Sequence, residues 1–133
     1  LFNPPVIAVV DDEEAIRDAL SDLLQVMGYS CQAFDRAKAF LAADAPGRFD
    51  CLITDIRMPG ISGLELLQLL KATGSTMPVI VVTSLNDPSI RSRALESGAH
   101  AYLTKPVTDD VLLQSLKTAL PGREIPSDDE GPT

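Results

Sequence analysis

The sequence predicts a doubly wound α/β sandwich: one five-stranded parallel sheet with helices packed on both faces. Three observations predict it. Five short apolar runs, most of them rich in β-branched residues, alternate along the chain with five segments whose apolar residues recur at helical spacing. Strands buried on both faces are near-continuous in apolar character, and parallel neighbours need crossover connections that helices supply. The 133 residues match the size of one domain, and 45% hydrophobic against 23% charged residues is enough to build one core.

Val6-Ile7-Ala8-Val9-Val10 is the first strand, with Asp11 and Asp12 at its end. From Glu13 to Met27, Ile16, Leu20, Leu23 and Leu24 share one helical face, and Gly28 stops the helix. Tyr29 to Phe34 alternates as a second strand. Asp35 is placed to cap a short helix running through Phe40 and Leu41 and fading at Pro46-Gly47. Cys51-Leu52-Ile53-Thr54 forms the third strand and leads into Asp55. After the break at Met58-Pro59-Gly60, Ser62 offers an N-cap to a helix carrying Leu64, Leu67 and Leu70.

The fourth strand, Val79 to Val82, follows Pro78 and runs into Thr83-Ser84. A helix from about Pro88 to Ser97 is stopped by Gly98. Ala101-Tyr102-Leu103 is the fifth strand and leads to Lys105-Pro106, and Asp109 or Asp110 starts a last helix bearing Leu112, Leu113, Leu116 and Leu120. The expected organisation is an N-terminal extension over 1–5, one domain over 6–120, and an acidic Pro/Gly-rich tail or linker over 121–133. Residue 1 is Leu rather than Met, so the chain is expected to be a piece of a longer protein.

A net charge of −8 argues against direct nucleic-acid binding by this domain, since such binding depends on Lys and Arg displacing counterions from phosphates. The longest apolar runs fall far short of the roughly 20 residues a membrane helix needs, and nothing has the pattern of a signal peptide. Cys31 and Cys51 sit in apolar surroundings with no Cys-x-x-Cys spacing, so two buried free thiols in a reducing cytoplasm are expected.

In a doubly wound sheet, ligands bind outside the carboxyl ends of the strands, where strand order reverses. Asp11, Asp12, Asp55, Thr83 and Lys105 all fall at that edge. Any one of them alone is more often a helix cap than a site; together they form a constellation. Carboxylates about 4 Å apart repel by roughly 4 kcal/mol per pair at an effective dielectric near 20, so a positive charge must sit among them. Oxygen donors without a His cluster or Cys pair suit Mg2+ rather than zinc. A carboxylate whose charge is offset by a metal and by Lys105 can accept a phosphoryl group, and the Thr83 hydroxyl can hydrogen-bond one of its oxygens.

With Asp11-Asp12-Glu13, Asp55 followed by Met58-Pro59-Gly60, Thr83, Gly98-Ala99 and Lys105-Pro106 on one chain, residues 6 to 120 resemble the receiver domains of two-component response regulators. The resemblance implies a flavodoxin-like (βα)5 fold with strand order 2-1-3-4-5. It implies Asp55 as phosphoacceptor, Asp12 and Asp55 as direct Mg2+ ligands, Asp11 acting largely through water, and the Arg57 carbonyl completing the protein ligands. Lys105 would pair with the phosphoryl group, and the Lys105–Pro106 bond would be cis. Thr83 and Tyr102 would be the switch pair, and the fourth helix, fifth strand and fifth helix a homodimer face. The phosphodonor would be a sensor histidine kinase or a phosphotransfer protein, and the domain would assist its own phosphorylation and dephosphorylation without being a turnover enzyme. The segment from Met58 to Leu66 is similar to receivers that precede helix-turn-helix output domains, which implies transcription regulation. Ser84 departs from the Ala frequent in the family, and Arg57 and Leu85 flank the acceptor where the family varies its dephosphorylation rate.

Other readings fit less well. A haloacid-dehalogenase-like phosphatase needs a second Asp two residues after its nucleophile, and that position is Arg57. A flavin mononucleotide site after the first strand would meet repulsion from Asp11-Asp12-Glu13-Glu14. A pseudo-receiver, an interaction module that works without phosphorylation, is the remaining alternative. His100 is expected to be a surface or packing residue, and Arg91 and Arg93 to be solvated.

Overall fold

The structure, a computed structural model, describes residues 3–122. Its elements follow one another as β1 (Val6–Val10), α1 (Glu14–Val26), β2 (Ser30–Phe34), α2 (Ala37–Ala43), β3 (Cys51–Thr54), α3 (Gly63–Ala72), β4 (Val79–Thr83), α4 (Pro88–Glu96), β5 (Ala101–Thr104) and α5 (Asp109–Ala119). All strand pairs are parallel, in the order β2-β1-β3-β4-β5. The chain therefore turns back between β1 and β3, and the crevice at the carboxyl ends of those strands is the fold's natural ligand edge.

Strand residues alternate between two apolar cores. Ala8, Val10, Leu52, Val79 and Val81 face one side, where α2, α3 and α4 contribute Phe40, Leu66, Leu67, Leu70 and Ala94. Ile7, Val9, Ile53, Ile80 and Val82 face the other, covered by Leu20 and Leu24 of α1 and Leu112 and Leu116 of α5. Each large apolar side chain so buried contributes about 1.5–3 kcal/mol, which is what ties helices of ten residues or so to the sheet.

One helix start differs from expectation. The Asp35 carboxylate does not cap α2: it is held by the Arg36 guanidinium at 3.1 Å through both oxygens. The cap position is Arg36 itself, extended at φ −157°, which leaves Asp35 one residue too early to reach the first free N–H groups. Helix α5 starts at Asp109, as expected, and is capped by Thr108, whose hydroxyl accepts from the Val111 N–H at 3.3 Å. Asp109 and Asp110 lie in the first turn, where their charge complements the helix dipole.

Cys51 is buried on β3 as expected, its thiol pushed up to about 12 by burial. Cys31 is only half-buried, because β2 is an edge strand; its sulfur lies 3.4 Å from the Ser21 hydroxyl. Among the described residues no helix is long and apolar enough to cross a membrane. Of the expected tail, 123–133 lie outside the described residues, as do 1 and 2 of the N-terminal extension.

Candidate functional site

Each polar group of Asp11 has a partner. Its N–H donates to the Phe34 carbonyl at 3.2 Å, which closes the top of β1 against β2. One carboxylate oxygen accepts from the Glu13 N–H at 2.9 Å and the other from Lys105 Nζ at 3.0 Å. Its carbonyl accepts from the Arg17 guanidinium at 2.9 Å. Asp55, one strand away, donates its N–H to the Val10 carbonyl at 3.1 Å, accepts from the Ile56 N–H at 2.6 Å through Oδ1, and accepts from Lys105 Nζ at 2.8 Å through Oδ2.

Lys105 thus reaches back from beyond β5 to bridge two buried carboxylates, Asp11 at 2% and Asp55 at 6% exposure. Burial pushes the Asp55 carboxyl up, but hydrogen bonds from Lys105 and Thr83, the Lys105 charge and the Ile56 N–H outweigh it and hold the group below the ordinary carboxylate range. Burial likewise pushes Lys105 down, and its hydrogen bonds and charge attraction to Asp55 and Asp11 more than reverse that. Both partners remain charged through the neutral range. The Lys105–Pro106 peptide bond is cis.

Asp12 is different. Its carboxylate is exposed and has no partner among the described residues. It lines an open cavity with Ile56, Arg57, Met58, Pro59, Ser62, Leu85 and Ile90. Among the described residues no group of three or more His, Cys, Asp or Glu side chains forms an all-protein metal cage. The side-chain donors at this edge are the carboxylates of Asp11, Asp12 and Asp55, hard oxygens of the kind that Mg2+ uses while keeping several waters. The residues fit that ion.

Behind Asp55, a second set of contacts leads away from the site. Thr83, at the end of β4, accepts the Leu85 N–H on its hydroxyl at 3.3 Å. The Leu85 carbonyl in turn accepts from the Tyr102 hydroxyl at 2.8 Å. The Tyr102 ring is buried at 5% exposure, so it lies inward. Arg91 is exposed, as expected, and in addition extends over that ring at 5.9 Å and donates to the Tyr102 carbonyl at 3.4 Å. The reason is geometric: α4 runs alongside β5, and the flat guanidinium can cover an aromatic face while keeping water on its other side. Arg93 is exposed as expected. His100 is exposed too, its Nε2 2.8 Å from the Thr118 hydroxyl and away from the carboxylates.

Two residues near the site were not singled out from sequence. Gly63, the first residue of α3, donates its N–H to the Ile56 carbonyl at 2.8 Å, and a Cβ there would collide with the Asp55 carbonyl oxygen. Arg17 is the other. Nothing local in the sequence marks either, because both act through contacts made by the fold.

Residues 7–117 match the family model described as the response regulator receiver domain. The transcriptional regulatory protein FixJ of Bradyrhizobium diazoefficiens is 40% identical over 114 residues, which are 86% of this chain and 56% of that protein. The transcriptional regulatory protein TdiR of Thauera aromatica is 36% identical over 118 residues, 89% of this chain and 52% of that protein. The chain therefore spans about half the length of the curated relatives it matches. A crystal structure described as FixJ-N superposes with a TM-score of 0.81 at 34% identity, covering 89% of this chain and 94% of that one.

Proposed function

The chain belongs to the response regulator receiver family of two-component systems, and from that premise we propose that it is a Mg2+-dependent phosphoryl switch whose acceptor is Asp55. The observation that carries the reading is the Lys105 bridge: one ammonium within 3.0 Å of Asp11 and 2.8 Å of Asp55, at the edge where the strand order turns back.

Receiver domains of this family are phosphorylated by histidine kinases. For this chain, one carboxylate oxygen of Asp55 attacks the phosphorus of a phosphohistidine on a sensor kinase or phosphotransfer protein. The P–N bond breaks, its electron pair returns to the imidazole, and Asp55 is left as a mixed acyl-phosphoryl anhydride. Lys105 is already in place to exchange its Asp55 contact for the incoming phosphoryl oxygens, so little reorganisation accompanies the new charge. Asp12, Asp55 and the Arg57 carbonyl would hold Mg2+ directly and Asp11 through water. When bound, the ion neutralises carboxylate and phosphoryl oxygens together. Later attack by water on phosphorus restores Asp55 and releases inorganic phosphate.

The consequence travels through Thr83. A hydroxyl drawn toward a phosphoryl oxygen gives up the Leu85 N–H, and Leu85 carries the hydroxyl of Tyr102 on its carbonyl. Thr83 and Tyr102 are thus the switch pair of this reading. The surface affected is that of α4, β5 and α5, where Leu95 and Val111 are exposed at 40% and 45%. We place a phosphorylation-dependent homodimer contact there. Control of transcription through an output domain in a cytoplasmic protein completes the reading, in keeping with relatives named as transcriptional regulatory proteins.

The test is incubation with a small phosphodonor and Mg2+, followed by intact mass, on the native chain and on Asp55→Asn. The expected result is a gain of one phosphoryl group that requires both Mg2+ and Asp55. A native chain left unmodified under conditions that label a known receiver would overturn this reading in favour of a phosphorylation-independent interaction module.

A further inference from the structure

We infer that Arg17 is a positioning residue for the divalent cation, acting through the main chain of the acidic loop rather than through any contact with the ion. The inference rests on the reading of the site as a Mg2+ site.

Asp12 is, with Asp55, a carboxylate expected to meet the ion directly, yet its side chain has no partner among the described residues that would aim it. The point from which it extends is therefore set by its backbone. The peptide unit joining Asp11 to Asp12 is planar, so fixing the Asp11 carbonyl also fixes the Asp12 N–H and the bond leading to the Asp12 Cα. Arg17 holds that carbonyl at 2.9 Å, reaching back from α1 across six residues. On the other side of Asp12, the Glu13 N–H is held by the Asp11 carboxylate at 2.9 Å. Asp12 is bracketed by two hydrogen bonds, and Arg17 supplies the one that no neighbouring backbone group replaces.

Charge alone predicts the opposite sign. A guanidinium beside the loop repels a divalent cation, so removing it should tighten Mg2+ binding. Positioning predicts that removing it weakens binding. Groups that orient metal ligands commonly change affinity by about tenfold or more when lost, and a hydrogen bond from a charged donor is of the strength needed for that.

The experiment uses the full chain with Arg17→Met, which keeps the apolar stem and loses the donor, and Arg17→Lys, which keeps a charged donor on a stem one bond shorter. Mg2+ alone is titrated while backbone amide shifts are followed by NMR, and phosphorylation by a small phosphodonor is measured across the same Mg2+ range. The expected result is an affinity about tenfold weaker in Arg17→Met, restored to within about threefold by Arg17→Lys, which keeps a charged donor. The phosphorylation rate of Arg17→Met should recover as Mg2+ is raised. An unchanged or tighter affinity in Arg17→Met overturns the inference. So does a rate that stays low at saturating Mg2+, or a melting temperature that falls equally in both variants along with equal losses of affinity. If the native chain itself fails to bind Mg2+, the site reading fails, and the inference fails with it; a native chain that binds normally while Arg17→Met matches it sinks the inference alone.

Discussion

Helices α3 and α4 are successive crossovers on the same face of the sheet, ten and nine residues long, and they are held in opposite ways. Helix α3 buries Gly63, Leu64, Leu66, Leu67 and Leu70, and its start is closed by a capping box in which Ser62 and Glu65 satisfy each other's N–H groups. Helix α4 buries only Ala94, leaves Leu95 at the surface, and is started by Asp87 and Pro88. The tightly held helix places Gly63 against the acceptor's backbone. The loosely held one is joined to the Thr83–Leu85–Tyr102 chain through Arg91. Elements that move on signalling come from the less stable parts of a fold, and a switch needs two arrangements separated by only a few kcal/mol. A stable anchor beside a weakly anchored neighbour meets both needs on one face.

Four measurements test this contrast. The largest effect belongs to Leu66→Ala, which empties a fully buried position on α3 and should cost about 2–5 kcal/mol in urea unfolding. A loss under about 1 kcal/mol would mean that α3 is not the anchor. Next is Gly63→Ala. Its new methyl group pushes on the Asp55 carbonyl, so a loss of about 1–3 kcal/mol should come with slower phosphorylation at Asp55. Normal labelling kinetics in that variant would separate α3 from the acceptor.

Loss of a cap follows at about 1 kcal/mol. Ser62→Ala should lower global stability by that amount, whereas Asp87→Ala should mainly speed hydrogen exchange of α4 amides; equal effects on global unfolding would erase the difference between the helices. The smallest effect is Leu95→Ser, within about 0.5 kcal/mol of neutral in stability because the residue is exposed. Sedimentation of the phosphorylated protein should nevertheless show weaker self-association. Unchanged association would move the dimer contact away from this end of α4.

The strands were legible in the sequence because burial on both faces leaves continuous β-branched runs, and Val79 to Val82 or Cys51 to Thr54 have no other easy place in a fold of this kind. The strand-end polar residues were legible for the same reason, since each strand's end fixes where its next side chain emerges. Caps were less so. Thr108, Asp109 and Asp110 all suit a helix start, and only the backbone's path decides among them. Asp35 has the right chemistry and the wrong position by one residue. Contacts made between elements left no local mark at all: Gly63 meets Asp55 across a turn, Arg17 reaches a strand end from a helix, and Arg91 finds an aromatic ring on β5. Those are the residues that sequence patterns describe only as glycine or surface charge.

The link at Leu85 has a consequence for how this protein can vary. Its N–H faces Thr83 and its carbonyl faces Tyr102, so both ends of the connection are main-chain atoms that nineteen of the twenty amino acids supply alike. The position is mechanically central and chemically anonymous. A scan that trims side chains one at a time would pass over it, recording only what the leucyl group packs against. Proline is the exception, since it alone removes the N–H. Any residue but proline at position 85 can therefore present a different side chain to the neighbouring cavity and the acceptor while the connection beneath it stays intact.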